Sequence, residues 1–277
     1  MSLHVETYGS GAPLLLIHGW GMHGGMWGSV VERLAEDHCV HVVDLPGHGW
    51  SGKDLIGKGE GGRGKSDAPG LPFILPSSPF SLDAIVDELT ARFEHPLTVC
   101  GWSMGGQIAL RWAVRHPRRV QRLILVSSTP CFVQNDGWDC AMVSETLSGF
   151  SAALTENYAQ TLRRFLALQM RGSDNERDLL SSSRVKLFNR GEPDLLALQA
   201  GLDILRDSDQ RSALAGIVTP TLVIAGERDT LTPLAASQYM AATIKAARLA
   251  TIKGAAHAPF LSHPEIFIEH LKNFLHE

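Results

Sequence analysis

The sequence contains few cysteines and no long apolar run, and each absence excludes a class of protein. Four cysteines among 277 residues are too few for a disulfide-stapled domain and lack the paired spacing of a zinc site. We therefore expect no disulfide, no metal and no other cofactor. No stretch reaches the roughly 18 to 20 apolar residues of a membrane span, and residues 1–9 lack the build of a signal peptide. These observations predict a cytoplasmic protein that does not cross a membrane.

A large excess of positive charge is also missing. The chain has 25 Lys and Arg against 29 Asp and Glu, a formal net charge of −4, so no general attraction to nucleic acid is expected. The cations are nevertheless concentrated, because residues 160–190 carry seven basic and three acidic side chains. This local excess would suit an acidic partner, although a solvated helical face is the simpler explanation of the charges alone.

The chain does contain a repeated alternation of strand-like and helical segments. Runs rich in β-branched residues and leucine predict strands at Leu14–His18, Cys39–Asp44, Leu97–Cys100, Arg122–Val126, Thr221–Ala225 and Arg248–Ile252. Helical periods are found at Met26–Asp37, Ser81–Glu94, Gly106–His116, Pro233–Ala241 and Pro264–Leu275, the fourth with Thr232 as its expected N-cap. This alternation is typical of the α/β class, in which helices cover both faces of a mostly parallel sheet.

Two segments depart from the alternation. Residues 130–207 show successive helical patterns without a strand signal, so we interpret them as a helical cap inserted into a core of residues 1–129 and 208–277. Such a cap would cover the carboxyl ends of the strands, where open sheets bind ligands. Residues 52–79 are rich in Gly, Lys, Pro and Ser, which predicts a flexible loop within the core. A phosphate-binding glycine loop is the alternative there, but the segment lacks the spacing and the preceding strand of that motif.

The segment Gly101-Trp102-Ser103-Met104-Gly105 places a serine between a predicted strand and a predicted helix. Small residues on each side permit the sharp turn that exposes a nucleophilic hydroxyl. The helix begins beside Ser103, so the Met104 N-H is expected to face a developing oxyanion. Trp20, in a glycine-flanked turn after the first predicted strand, supplies the second expected backbone donor.

A serine nucleophile needs a base, and the base needs a carboxylate that fixes its tautomer. His257 is the best candidate base, because it follows the last predicted strand among small neighbours. Asp229, on the loop after strand Thr221–Ala225, is the candidate acid, with Glu227 and Asp207 as rivals. The chain order Ser103, Asp229, His257 is that of hydrolases with this serine motif.

Together these motifs resemble the α/β-hydrolase superfamily over nearly the whole chain. The matching segments are His18-Gly19-Trp20-Gly21, Asp44-Leu45-Pro46-Gly47-His48-Gly49, the Ser103 motif, Gly226-x-x-Asp229 and His257-Ala258-Pro259. More narrowly, the chain is similar to the pimeloyl-[acyl-carrier protein] methyl ester esterases of biotin synthesis. The stretch Arg164-Phe165-Leu166-Ala167-Leu168-Gln169 matters most for this narrower likeness, because caps vary widely among hydrolases.

The resemblance implies a serine carboxylesterase that cleaves a methyl ester carried on acyl-carrier protein, an acidic partner. We expect the protein to be a monomer. It makes Arg164 and Arg177 the expected docking contacts, with Arg163, Arg171 and Arg184 as additions. The apolar channel for the acyl chain would be lined by Trp20, Trp102, Phe132 and Phe165. Gln160 and Ser181 depart from the basic residues expected at their positions.

Two other functions stay open on the sequence alone. One is a broad-specificity short-chain carboxylesterase with a different physiological ester, because one triad supports many small-molecule esters. The other is a non-catalytic receptor that binds a small molecule under the cap.

Overall fold

The computed structural model of the chain describes residues 2–53 and 80–277, and a seven-stranded sheet lies at the centre of this part. The strands are β1 His4–Tyr8, β2 Ala12–Ile17, β3 His38–Asp44, β4 Leu97–Trp102, β5 Val120–Val126, β6 Thr221–Gly226 and β7 Ala247–Ile252. Their order is β1-β3-β2-β4-β5-β6-β7, and every neighbouring pair is parallel except β1 and β3. The prediction of an α/β architecture is therefore confirmed.

All six predicted strands form, and β1 is the strand that the sequence pattern missed. Its five residues are half-buried or exposed, so they lack the apolar run that marks the inner strands. β4, by contrast, is buried along its whole length, as a strand covered on both faces must be. The carboxyl ends of β2, β4, β6 and β7 lie at one edge of the sheet, because these strands are parallel.

The helices in the described residues are α1 Ser29–Leu34, α2 Leu82–Arg92, α3 Met104–Arg115, α4 Ser144–Met170, α5 Glu176–Lys186, α6 Leu195–Asp207, α7 Leu234–Thr243, α8 Pro259–Ser262 and α9 Pro264–Leu275. Two 3-10 helices add Gly24–Trp27 and Arg211–Gly216. None of the helices in this part of the chain combines the length and apolar character that a membrane span requires.

Two of the predicted helix starts are wrong. The helix expected over Met26–Asp37 is interrupted at Gly28, where φ is 59° and the backbone leaves the helical region. Thr232 is not the N-cap of α7, because Pro233 occupies that position. The Thr232 hydroxyl instead donates to Asp229 at 2.7 Å. Thr232 therefore belongs to the candidate site described below and not to α7.

α4, α5 and α6 follow one another between β5 and β6. α4 is kinked at Asn157, whose φ and ψ of −155° and 85° are not helical. The division of the chain into a cap of residues 130–207 and a core of residues 1–129 and 208–277 stays a prediction. Residues 54–79 of the predicted flexible loop lie outside the described residues.

Candidate active site

Ser103 occupies a sharp turn between β4 and α3. Its φ and ψ are 56° and −119°, a left-handed conformation that non-glycine residues adopt only where the surroundings impose it. Those surroundings are tight, since a Cβ on Gly101 would lie 2.2 Å from the Gly105 carbonyl oxygen and one on Gly105 would lie 2.4 Å from that of Ile17. The two glycines thus allow the turn to press against the end of β2.

The backbone of Ser103 is held on both sides. Its N-H donates to the Val126 carbonyl at 2.9 Å, which ties the turn to the end of β5. Its own carbonyl accepts the Gly106 N-H at 2.9 Å and the Ser128 hydroxyl at 2.8 Å. These bonds from neighbouring elements stabilise a conformation that the serine alone would not favour.

Asp229 and His257 are brought together as the sequence predicts. His257 Nδ1 lies 2.8 Å from Asp229 Oδ2, and both side chains are buried. Burial raises the pKa of the Asp229 carboxyl, but the charge of His257 and the hydrogen bonds from His257 and Thr232 outweigh it, so this pKa is held below its usual range. Asp229 is therefore a carboxylate that faces His257 Nδ1, and when the ring hydrogen is on Nδ1 the other nitrogen, Nε2, is the proton acceptor.

Nε2 of His257 is buried and has no hydrogen-bond partner among the described residues, the Ser103 hydroxyl included. The backbone of the histidine is nevertheless fixed next to the serine. The Trp102 indole N-H donates to the His257 carbonyl at 2.9 Å, and the His257 N-H donates to the Gln169 carbonyl at 3.1 Å. The residue before the serine and the last turn of α4 therefore position the base.

The two N-H groups that the sequence predicts for an oxyanion hole belong to Met104 and Trp20. Met104 is the first residue of α3, and the N-H groups of a first helical turn have no partner inside the helix. On the other side, a Cβ on Gly19 would lie 3.1 Å from the Ser103 Cβ, so Gly19, the residue before Trp20, lies against the turn. The Trp20 N-H has no backbone acceptor among the turn and loop hydrogen bonds of the described residues.

The rival carboxylates lie elsewhere. Glu227 accepts the Gly254 N-H at 3.1 Å and so braces the loop that carries His257. Asp207 is exposed and pairs with Arg206 at 2.7 Å. In the described part of the chain, no three His, Cys, Asp or Glu side chains come together as metal ligands.

The predicted apolar lining falls into two groups. Trp20 and Phe165 meet edge to face with their ring centroids 4.9 Å apart, and Phe150, which the sequence did not single out, packs on Phe165 at 5.8 Å. Trp102 packs instead against Phe260 at 4.8 Å, on the side of the base. The fourth residue of the predicted lining, Phe132, is buried.

Six of the seven cations of residues 160–190 fall into two groups. Arg190 is nearly buried and pairs with Glu6 and Asp44, so it joins the turn after α5 to the sheet. Exposed arginines without an ion pair in the described residues form a second group on α4 and α5: Arg163, Arg164, Arg171, Arg177 and Arg184. Arg164 and Arg171 line a cavity of about 590 Å³ with Phe150 and Leu168.

Two contributors to the site were missed. Thr232 donates both its N-H and its hydroxyl to Asp229. The Asp-x-x-Thr spacing could have indicated this, because aspartate side chains often accept hydrogen bonds from backbone N-H groups a few residues later in the chain. Gln169 holds the His257 amide from a position 88 residues earlier, and no local pattern reports such a contact.

Comparisons with known proteins identify the relatives of this chain. Residues 14–270 match the model of the alpha/beta hydrolase family. A pimeloyl-[acyl-carrier protein] methyl ester esterase from Nitrosomonas europaea is 40% identical over 267 residues, which are 96% of this chain and 97% of that protein. The protein of the same name from Chromobacterium violaceum is 40% identical over 275 residues, 99% of this chain and 98% of its own length.

Solved structures extend the likeness of fold. An esterase from Exiguobacterium antarcticum superposes with a TM-score of 0.81 at 24% identity, covering 99% of this chain and 96% of its own. A bromoperoxidase from Bacillus anthracis gives a TM-score of 0.85 at 21% identity, with 99% and 95% covered. At such identities the likeness concerns the fold alone. With the family match over residues 14–270 and relatives 40% identical along almost the whole chain, the chain belongs to the alpha/beta hydrolase family.

Proposed function

We propose that this chain is a serine carboxylesterase that hydrolyses the methyl ester of pimeloyl-[acyl-carrier protein] to the free acid and methanol, as a step of biotin synthesis. The observation that carries the proposal is the buried Asp229–His257 pair at 2.8 Å, fixed beside a serine in a glycine-bounded turn. The names of relatives that match it over nearly their whole length supply the substrate. In this proposal the protein works in the cytoplasm as a monomer.

The reaction has two steps. Ser103 Oγ attacks the ester carbonyl carbon while His257 Nε2 accepts the hydroxyl proton, and the N-H groups of Trp20 and Met104 stabilise the oxyanion. The tetrahedral adduct collapses, and methoxide leaves as methanol with the proton from His257. Water then attacks the acyl-serine, again giving its proton to His257, and releases the carboxylic acid and the free serine. Asp229 stabilises the imidazolium in both steps.

The cap supplies the specificity in this proposal. The exposed arginines of α4 and α5 form a basic surface to which an acidic carrier protein would dock, with Arg164 and Arg177 as the main contacts. Phe165 and Trp20 would line the apolar path from that surface towards Ser103, because pockets for apolar chains are lined by such side chains. Arg164 borders the 590 Å³ cavity beside Phe150, where a tethered acyl chain would enter.

The nucleophile is tested with Ser103→Ala and a small aryl ester. We expect the variant to lose at least about 10³-fold in kcat and to be unlabelled by a phosphonate that modifies the wild-type protein. Undiminished hydrolysis by the variant would refute the assignment. A wild-type protein that neither hydrolyses esters nor reacts with the phosphonate would instead be a receptor.

The carrier is tested by comparing kcat/KM for the ester on acyl-carrier protein with that for free dimethyl pimelate. We expect a carrier preference that shrinks as salt rises to about 0.5 M, and an approximately tenfold smaller preference for Arg164→Glu. Arg118→Glu is the matched control, because Arg118 is exposed and precedes β5. It therefore lies at the amino ends of the parallel strands, away from the carboxyl ends that carry the candidate site. Equal effects of both variants, or no preference at all, would favour a broad-specificity carboxylesterase.

A further inference from the structure

His18 is fully buried at the end of β2, and none of the steps above uses its side chain. Both ring nitrogens are engaged with backbone groups. Nδ1 lies 2.8 Å from the carbonyl oxygen of Gly19, and Nε2 lies 2.9 Å from the amide nitrogen of Leu45. The ring thus connects the loop after β2 to the loop after β3.

These two contacts determine the tautomer of the ring. A backbone N-H can only donate, so Nε2 must be the unprotonated acceptor for Leu45. A carbonyl oxygen can only accept, so Nδ1 must carry the hydrogen and donate it to Gly19. Burial, followed by the neighbouring charge of His48, lowers the pKa of His18 to about 3, so the ring keeps this neutral form at neutral pH.

The hydrogen bond to Gly19 fixes the direction of the next N-H group. The Gly19–Trp20 peptide is trans, and in a planar trans peptide the carbonyl oxygen and the amide hydrogen point in opposite directions. Gly19 lies against Ser103, and its carbonyl faces the His18 ring, so the Trp20 N-H points to the opposite side of the peptide from that ring. Met22 adds a second, longer donor to the same carbonyl at 3.3 Å.

We propose that His18 is a positioning residue for the oxyanion hole: its Nδ1-H holds the Gly19 carbonyl so that the Trp20 N-H faces the oxyanion that forms at Ser103. The inference rests on the proposed ester hydrolysis at Ser103 but not on the identity of the acyl group. Because the Trp20 N-H is needed most in the transition state, misdirecting it would lower kcat and leave KM almost unchanged.

The simpler alternative is that His18 only satisfies the buried Leu45 N-H. Two substitutions separate the roles, because each retains one of the two hydrogen bonds. His18→Asn places an amide nitrogen where Nδ1 lies and can still donate to Gly19, but it leaves Leu45 unpaired. His18→Gln places an amide oxygen where Nε2 lies and can still accept from Leu45, but it no longer holds Gly19.

The experiment measures kcat and KM of both variants on a small aryl ester, with melting temperature as a check on folding and Ser103→Ala as the background rate. We expect His18→Gln to lose about 10- to 100-fold in kcat, below the loss for deleting an oxyanion donor outright, while its KM stays within about threefold. We expect His18→Asn to lose less than about fivefold in kcat even where its melting temperature falls further.

Equal losses in the two variants, a larger loss in His18→Asn, or a loss confined to KM would overturn the inference and leave the proposed hydrolysis standing. Activity that persists in Ser103→Ala would instead count against the proposed function itself. If His18→Gln fails to fold, His18→Asn alone decides the matter, because it retains the donor to Gly19 and loses the acceptor for Leu45. A kcat within about fivefold of wild type supports the positioning role, and a larger loss of kcat in a folded His18→Asn would contradict it.

Discussion

At the scale of single residues, Asp229 is the most highly connected group of the site. Its Oδ1 accepts the N-H groups of Leu231 and Thr232 at 2.9 and 3.0 Å, and its Oδ2 accepts the Thr232 hydroxyl and faces His257 Nδ1. Four donors to one buried carboxylate fix its orientation and keep it ionised. The imidazole opposite it is thereby restricted to one tautomer.

Asp229→Asn should keep the hydrogen bonds from Leu231 and Thr232 but lose the ability to accept the Nδ1-H of His257. With its amide oxygen held by the two backbone N-H groups, the amide nitrogen would face His257 Nδ1 and favour the tautomer that protonates Nε2. We expect kcat for a small ester to fall about 10³- to 10⁴-fold, as when a triad aspartate is replaced elsewhere, without loss of folded structure by circular dichroism.

Glu227→Gln is the matched control for that substitution. Its amide oxygen can still accept the Gly254 N-H that Glu227 binds, so kcat should stay within about threefold of wild type. A comparable loss in the two variants would show that the loop needs negative charge in general, and would remove the special role of Asp229.

At the scale of elements, the fold and the candidate site residues could be predicted from the sequence, but the long-range contacts that hold these residues in place could not. The inner strands and the Ser103 turn follow from apolar runs and glycine positions that are local in sequence. The 2.8 Å bond from the Trp20 indole to the Leu198 carbonyl joins residues 178 apart. Local periodicity carries no information on such pairs, which depend on how α6 packs over the sheet.

One glycine of α6 makes that packing possible. A Cβ on Gly201 would lie 2.6 Å from Trp20 Cδ1, so Gly201→Ala should destabilise the protein by about 1–3 kcal/mol through overpacking. It should also lower kcat, because Trp20 must move. A melting temperature a few degrees lower in thermal unfolding would agree with this expectation.

Gly149→Ala provides the opposite case within α4. Outside its chain neighbours and the nearby backbone of α4, no atom of residues 2–53 or 80–277 would lie within 4 Å of a Cβ at that exposed position. Alanine should therefore stabilise the protein by about 0.5–1 kcal/mol, because it favours the helix and lowers the conformational entropy of the unfolded chain. Parallel shifts in the two variants would mean that backbone entropy, rather than contact with Trp20, governs Gly201.

At the scale of the whole molecule, buried histidines couple stability to pH. Burial lowers the pKa of His48 to about 4, whereas an unfolded histidine titrates near about 6.5. Between these values the unfolded state binds a proton that the folded state excludes. The stabilisation is complete above about pH 6.5 and is lost as the pH falls towards about 4.

His48→Asn should therefore flatten the pH dependence of unfolding. Between pH 7 and pH 5, the free energy of unfolding in urea should fall by about 2 kcal/mol less for the variant than for wild type. His95→Asn, at an exposed position, should follow the wild-type curve. Identical slopes for all three proteins would contradict the assignment.

The hydrogen bond between the Trp20 indole and α6 links the position of this helix to the proposed oxyanion hole. Trp20 carries one of the two proposed oxyanion donors on its backbone, while its side chain is fastened to the Leu198 carbonyl. If α6 moved away from the sheet, either this bond would break or Trp20 would follow the helix and carry its N-H away from Ser103. We therefore expect substitutions that loosen the packing of α6 to lower kcat as well as the free energy of unfolding.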